Sequence, residues 1–208
     1  MKRWIYAIGL CLLVLGLAVG LLSCESEPKE PLADTTPTYD TERLNEYLRL
    51  DAYTDLSVLL AGADESKGDA VWQAILSRAE VLSYPEEALD YYVRQEREAV
   101  AYYADEHSLT KEEAMARLGL SEESILASAR EMVKSDLVYE YVRNDAEITL
   151  TEKEKSELFD RYVGRIAAQH GYDEDDVRER MESLVYDAML YDKTMEYLIL
   201  HNTFTVVE

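Results

Sequence analysis

Residues 151–171 read TEKEKSELFDRYVGRIAAQHG, and this stretch decides the fold class. Thr151 followed by Glu154 is a capping box, in which side chain and backbone satisfy each other at a helix start. Leu158, Phe159, Tyr162, Val163 and Ile166 then recur at three and four, the period of one helix face. Gly171 closes the segment as a C-terminal stop. The spacing predicts a helix that buries one stripe.

The same punctuation extends outward in both directions. Asp173 opens a last long helix running to about Leu200, with Val177, Met181, Leu184, Val185, Ala188, Met195, Leu198 and Ile199 on one side. Upstream, Ser121 caps a helix to about Asp145 that carries Ile125, Ala129, Met132, Val133 and Leu137. Thr110-Lys111-Glu112-Glu113 is another capping box, for a short helix ending at Gly119. Tyr84-Pro85-Glu86-Glu87 starts a helix to about His107, because proline suits the first turn and acids suit the N-terminus. Residues 66–83 show a helical period through Val71, Trp72, Ile75, Leu76, Ala79 and Leu82. Thr41 to Leu50 is a short amphipathic opener. Asp55 to Ala61 is the internal strand candidate, and Thr203 to Val207 is a second strand or a tail. The expected class is all-α, with helical stripes burying against one another in antiparallel arms and at most one or two short strands.

The N-terminus has a different grammar. Met1-Lys2-Arg3 precedes an apolar run from Trp4 to Leu22, a positive n-region and an h-region. Leu21-Leu22-Ser23-Cys24 resembles the lipobox of bacterial lipoproteins. That resemblance implies a lipid on Cys24 and removal of residues 1–23. A permanent membrane anchor is the other reading, since the run is nearly long enough to span. Either one places the rest of the chain at the extracytoplasmic face of the cell membrane. Cys11 leaves with the signal, so the remaining domain has no thiol chemistry and no disulfide. Residues 24–40 hold three of the four prolines among charges and threonines, which predicts a disordered leash. Its average reach is about 20–24 Å, from the scaling of a flexible chain. Residues 41–208 are expected to form the helical domain.

Charge and composition exclude several functions. The chain has 43 acidic residues against 21 basic ones, a formal net charge of −22. Such a surface repels phosphate backbones and excludes nucleic acid as a partner. His107, His170 and His201 do not share a helix face at ligand spacing, so no metal is expected. No serine stands in a nucleophile-elbow setting, and no glycine-rich phosphate loop exists. Asp173-Glu174-Asp175-Asp176 reads as a dipole-matched helix start rather than a calcium loop. No enzyme activity and no cofactor are expected.

Sixteen tyrosines stand against two phenylalanines. A tyrosine ring can be buried while its hydroxyl stays wet, and it offers contact area at low entropic cost. Methionines add flexible apolar surface of the kind promiscuous binders use. The same composition also fits the many boundary positions of a slender helical protein.

From about Val71 to Phe204 the chain resembles the C-terminal substrate-binding domain of trigger factor, a bacterial chaperone. The segments that carry the resemblance are Ile148 to Glu154, Tyr162 to Tyr172, Asp173 to Val177 and Tyr191 to Leu198, in that order. Tyr84-Pro85-Glu86-Glu87 resembles the approach to that domain in shorter relatives lacking the isomerase insert, and Ala52-Tyr53 to Leu60 resembles their preceding strand. The family's ribosome-binding and isomerase domains have no counterpart here. The resemblance implies extended helical arms, of the kind shared by the periplasmic chaperone SurA, that cradle unfolded polypeptide. The expected function is therefore a membrane-tethered, ATP-independent holdase for unfolded or nascent exported proteins, without isomerase activity. Tyr139, Phe159, Tyr162, Tyr186, Met189, Tyr191 and Met195 are the expected polypeptide-binding residues. An envelope adaptor that binds one folded protein partner is the alternative, and a homodimer is compatible with either.

Overall fold

The computed structural model describes residues 37–207. The signal segment, Cys11, Cys24 and most of the leash lie outside the described residues. Helix makes up 67% of the structure and strand 7%, which puts the chain in the mainly α class. A 3-10 turn, Thr41–Arg43, leads into α1 (Leu44–Tyr47), β1 (Leu48–Arg49), β2 (Ser57–Leu60), α2 (Lys67–Leu76) and β3 (Glu80–Val81). Then follow α3 (Glu86–Glu106), α4 (Lys111–Leu118), α5 (Glu122–Asp145), α6 (Glu152–His170), α7 (Glu174–Arg180), α8 (Glu182–Leu200) and β4 (Thr203–Val206).

The caps set the helix boundaries as expected. Thr110 and Glu113, then Thr151 and Glu154, exchange side-chain and backbone bonds at the starts of α4 and α6. Ser121 does the same with Ser124 at α5. Gly119 and Gly171 end α4 and α6 at φ of 67° and 71°, in the left-handed region where a Cβ is penalised.

Four expectations are corrected. The helix expected over 66–83 stops at Leu76. Ser77 Oγ and an Arg78 guanidinium nitrogen both donate to the Ala74 carbonyl, at 2.8 and 2.6 Å, in place of a further helical turn. Glu80–Val81 then pairs antiparallel with Leu48–Arg49, so the short strands number four among the described residues rather than one or two. The helix expected over 173–200 is interrupted at Met181, whose φ of −126° separates α7 from α8. Finally, Tyr39 and Asp40, read as leash, belong to the fold. Asp40 caps the 3-10 turn through the Glu42 N–H, and Tyr39 bonds to Asp136.

The chain divides into two compact units, residues 150–189 and residues 37–149 with 190–207. In the larger unit, α3 packs along α5 and α4 folds back on α3. The α5 stripe expected to face the later helices is buried here: Ile125, Ala129, Val133, Leu137, Val138 and Val142 are all buried. Val133, Leu137, Val138 and Val142 join Leu44, Leu48, Val58, Leu60, Val71, Ile75 and Leu198 in one core. A parallel two-stranded sheet, β2 with β4, pairs Val58 with Phe204 and Leu60 with Val206. Val58 and Leu60 point into the core while Ser57 and Leu59 face out. The strand expected over 55–61 and the strand-or-tail over 203–207 are therefore partners.

The smaller unit is built on the quoted stretch. Tyr162, Val163, Ile166 and Ala167 of α6 pack with Val177 of α7 and with Val185 and Met189 of α8. Leu184, which shares the expected stripe, is 47% exposed.

Candidate polypeptide-binding surface

The seven expected binding residues fall into two sets. In the smaller unit, Tyr162 and Met189 are buried at 6% and 2% exposure, so they are core packing residues and line no surface. Two arginines nevertheless stack on the Tyr162 ring, Arg165 at 4.1 Å and Arg161 at 5.6 Å from its centroid. Phe159 and Tyr186 lie at the edge of the core and pair with ring centroids 5.4 Å apart. Lys155 sits over Tyr186 at 5.6 Å and Arg178 over Phe159 at 6.0 Å. Arg178 is itself paired with Asp160, and Lys155 with Glu152. The Tyr186 hydroxyl donates to Glu182 at 2.9 Å, and that bond pushes its pKa up. The result is an aromatic pair flanked by cations, a surface suited to aromatic and apolar side chains with polar neighbours.

In the larger unit, Tyr139 and Met195 are partly buried against the main core. The Tyr139 and Tyr191 rings lie 6.0 Å apart, and Tyr191 is 47% exposed. Partial burial raises the Tyr191 hydroxyl pKa, with Asp69 and Asp192 adding to the effect. Nearby, Tyr53 packs on Tyr141 and Tyr197 and donates to Asp145. A shallow depression of about 510 Å³ is lined by Arg143, Asn144, Glu147, Ile148 and Thr149. Arg143 pairs with Glu140 and lies over Tyr139, leaving its buried Nε without a hydrogen-bond partner.

Two polar clusters were not legible in the sequence. Asp136 Oδ2 accepts from both the Tyr39 hydroxyl at 2.9 Å and the Tyr92 hydroxyl at 2.6 Å. Burial pushes the Asp136 carboxyl up, against the pull of these two donors. Burial and then the Asp136 charge push the Tyr39 hydroxyl far up. The second cluster is centred on Asn202. Its Oδ1 accepts from the Leu56 N–H at 2.7 Å, and its Nδ2 donates to the Tyr53 and Leu198 carbonyls at 3.0 and 2.7 Å. Sequence separations near 100 or more residues for several of these pairs explain why periodicity and caps carry no trace of them.

The histidines act as helix-end side chains. His107 and His201 each stack on the tyrosine four residues earlier, Tyr103 and Tyr197, at 4.1 and 4.0 Å. Each places Nδ1 within 3.0 Å of that tyrosine's carbonyl. Among the described residues no group of three or more His, Cys, Asp or Glu side chains could hold a metal ion. Among them, too, no helix is long and apolar enough to cross a membrane. Comparison with protein families, characterised proteins and solved structures gives no match for this chain.

Proposed function

We propose that the chain is a membrane-tethered, ATP-independent holdase for unfolded exported polypeptides. The observation that carries the reading is the pairing of half-exposed aromatic rings on each unit, Phe159 with Tyr186 and Tyr139 with Tyr191. Each pair combines apolar ring area with an adjacent charge or hydroxyl, so it gives weak contacts that tolerate many sequences. Holding needs no bond-breaking machinery, and binding spread over such pairs needs no single deep pocket. The trigger factor-like order of motifs and the acidic surface support the same reading. The strong acidity of the chain, a formal net charge of −22 over its full length, keeps a client-loaded domain soluble and favours basic client segments.

The test is suppression of aggregation of a reduced, unfolded model protein. The full chain is expected to protect at equimolar amounts without ATP, and Phe159→Ser with Tyr186→Ser is expected to weaken protection several-fold. Light scattering that rises as fast with the protein as without it sinks the proposal. An adaptor would instead yield one folded partner in stoichiometric amount in a pull-down from envelope extracts.

The tether is part of the proposal, and Cys24 is where it would attach. A diacylated N-terminus adds about 0.8 kcal/mol for each buried methylene, and an acidic domain gains little from an anionic bilayer by itself. Cys24→Ala is therefore expected to leave folding intact and either release the domain or strand an uncleaved precursor. Membrane fractionation reads this directly. A processed mutant that still sediments with membranes like wild type rules the lipid anchor out.

A further inference from the structure

We propose that the outer edge of β2 accepts one added strand, an extended polypeptide segment that alternates apolar and basic residues. This deepens the holdase reading and rests on it, since it names a place and a chemistry for the client. The ladder geometry comes first. Thr203 N–H donates to the Leu56 carbonyl and Val207 N–H to the Leu60 carbonyl, both at 2.9 Å. In a parallel ladder the bonding direction alternates along each strand. Leu56, Val58 and Leu60 therefore turn their backbone groups toward β4, and Ser57, Leu59 and Ala61 turn theirs away. The Ala61 N–H is taken by the Glu65 carboxylate. Among the described residues the Ser57 and Leu59 N–H groups have no partner and the sheet has two strands.

Exposed edges are usually protected by lysine, proline, a bulge or a covering element. Among the described residues this one carries none of them, and Leu59 at its centre is 68% exposed. The neighbouring charges choose the occupant. Asp55, Asp64 and Glu65 are exposed at the two ends of β2, and no lysine or arginine occurs between Leu50 and Ser66. By contrast β4 has a cation beside it, with Lys67 5.4 Å from the Phe204 ring centroid. A strand added to β2 gains backbone bonds to Ser57 and Leu59 and sets an apolar side chain beside Leu59, while its basic residues, on the other face, add positive charge that the carboxylates at the two ends of β2 attract.

The experiment uses the full chain in detergent and a peptide of alternating lysine and valine. The comparators are the same peptide N-methylated at alternate backbone nitrogens, and an alternating glutamate and valine peptide. Binding is expected to slow hydrogen exchange in residues 57–61, and either comparator is expected to bind at least tenfold more weakly. Leu59→Pro removes the outward N–H and trims the exposed side chain while sparing the bonds to β4, so it is expected to abolish binding while leaving the circular dichroism spectrum unchanged. Leu59→Lys is a second variant, expected to weaken binding by charge and to restore it for the glutamate peptide. Equal affinity for the N-methylated peptide, or protection elsewhere in the chain, overturns the inference. Concentration-dependent dimerisation that protects 57–61 without peptide overturns it in favour of a second copy as occupant. Intact suppression of aggregation alongside a failed peptide result removes the edge site alone. Lysine–valine binding at β2 without any suppression removes the holdase reading and leaves the edge as a peptide site.

Discussion

Asn202→Ala is expected to destabilise the larger unit by about 3 kcal/mol, because each buried polar group left without a partner costs about 1–3 kcal/mol. Three backbone groups lose their partner at once: the Leu56 N–H and the carbonyls of Tyr53 and Leu198. Asn202 is 9% exposed, so water replaces little of what is lost. The residue sits where β2 and β4 begin to pair. Asp55, at a φ of 57°, donates its N–H to His201, and the Leu56 carbonyl accepts from both Thr203 N–H and Thr203 Oγ1. Asn202 therefore holds the first rung of the parallel sheet, which two strands alone would hold only marginally. The measurements are the urea midpoint and exchange rates of the Val58 and Leu60 amides. An unchanged midpoint together with unchanged exchange would show that the clamp is dispensable. Asn202→Asp sharpens the test. It keeps the acceptor for Leu56 but turns a carboxylate toward two carbonyls, which raises its folded pKa above its unfolded value. The variant is then expected to regain stability as pH falls.

The second large effect is expected at Asp136. Asp136→Ala leaves the Tyr39 and Tyr92 hydroxyls without their acceptor, at a cost of about 2 kcal/mol at neutral pH. Hydrogen bonds to a charged group are worth about 1.5–3 kcal/mol each, offset by release of a desolvated carboxylate. Tyr39→Phe and Tyr92→Phe are each expected to cost less, and the double mutant more than their sum, because it strips the last donor from a buried charge. The pH dependence has a definite sign. Burial raises the folded pKa of Asp136 above its unfolded value. The part of its contribution that comes from tighter proton binding in the folded state is therefore fully present below the unfolded pKa and is lost as pH rises through the folded one, while the two tyrosine hydrogen bonds remain. Asp136→Asn removes that titration, so the stability difference between wild type and Asp136→Asn should vary in this acidic window and level off above it. A difference that stays constant from acid to neutral pH would contradict the assignment. Because Tyr39 lies at the start of the described chain, losing this bond is also expected to free the amides of residues 38–40 to exchange early, before α3 or α5.

The sequence by itself determined what is local. Thr110, Ser121 and Thr151 fix helix starts because a capping side chain bonds to an N–H three residues away. Gly119 and Gly171 fix helix ends because a left-handed residue stops the ladder wherever it stands. The apolar period marked α5 and α6 as buried on one face, whereas Val58, Leu59 and Leu60 are all apolar and only the fold turns Val58 and Leu60 inward and Leu59 out. Only the tertiary structure decided what those faces meet. The stripe of α5 is covered partly by α3, and β2 is joined to a strand about 150 residues later in the chain. The helix over 66–83 ends early because Glu80–Val81 pairs with β1, a contact whose benefit lies outside the local sequence. Nothing local marks the break at Met181, where neither proline nor glycine stands. For the candidate site the division is the same. Tyrosine abundance pointed to aromatic surface, but period alone could not separate the buried Tyr162 and Met189 from the edge residues Phe159 and Tyr186. Exposure depends on which helix packs on which, and that is set by the whole chain. Asp136 and Asn202 were invisible for the same reason: a polar residue declares its role only when folding brings its distant partners to within 3 Å.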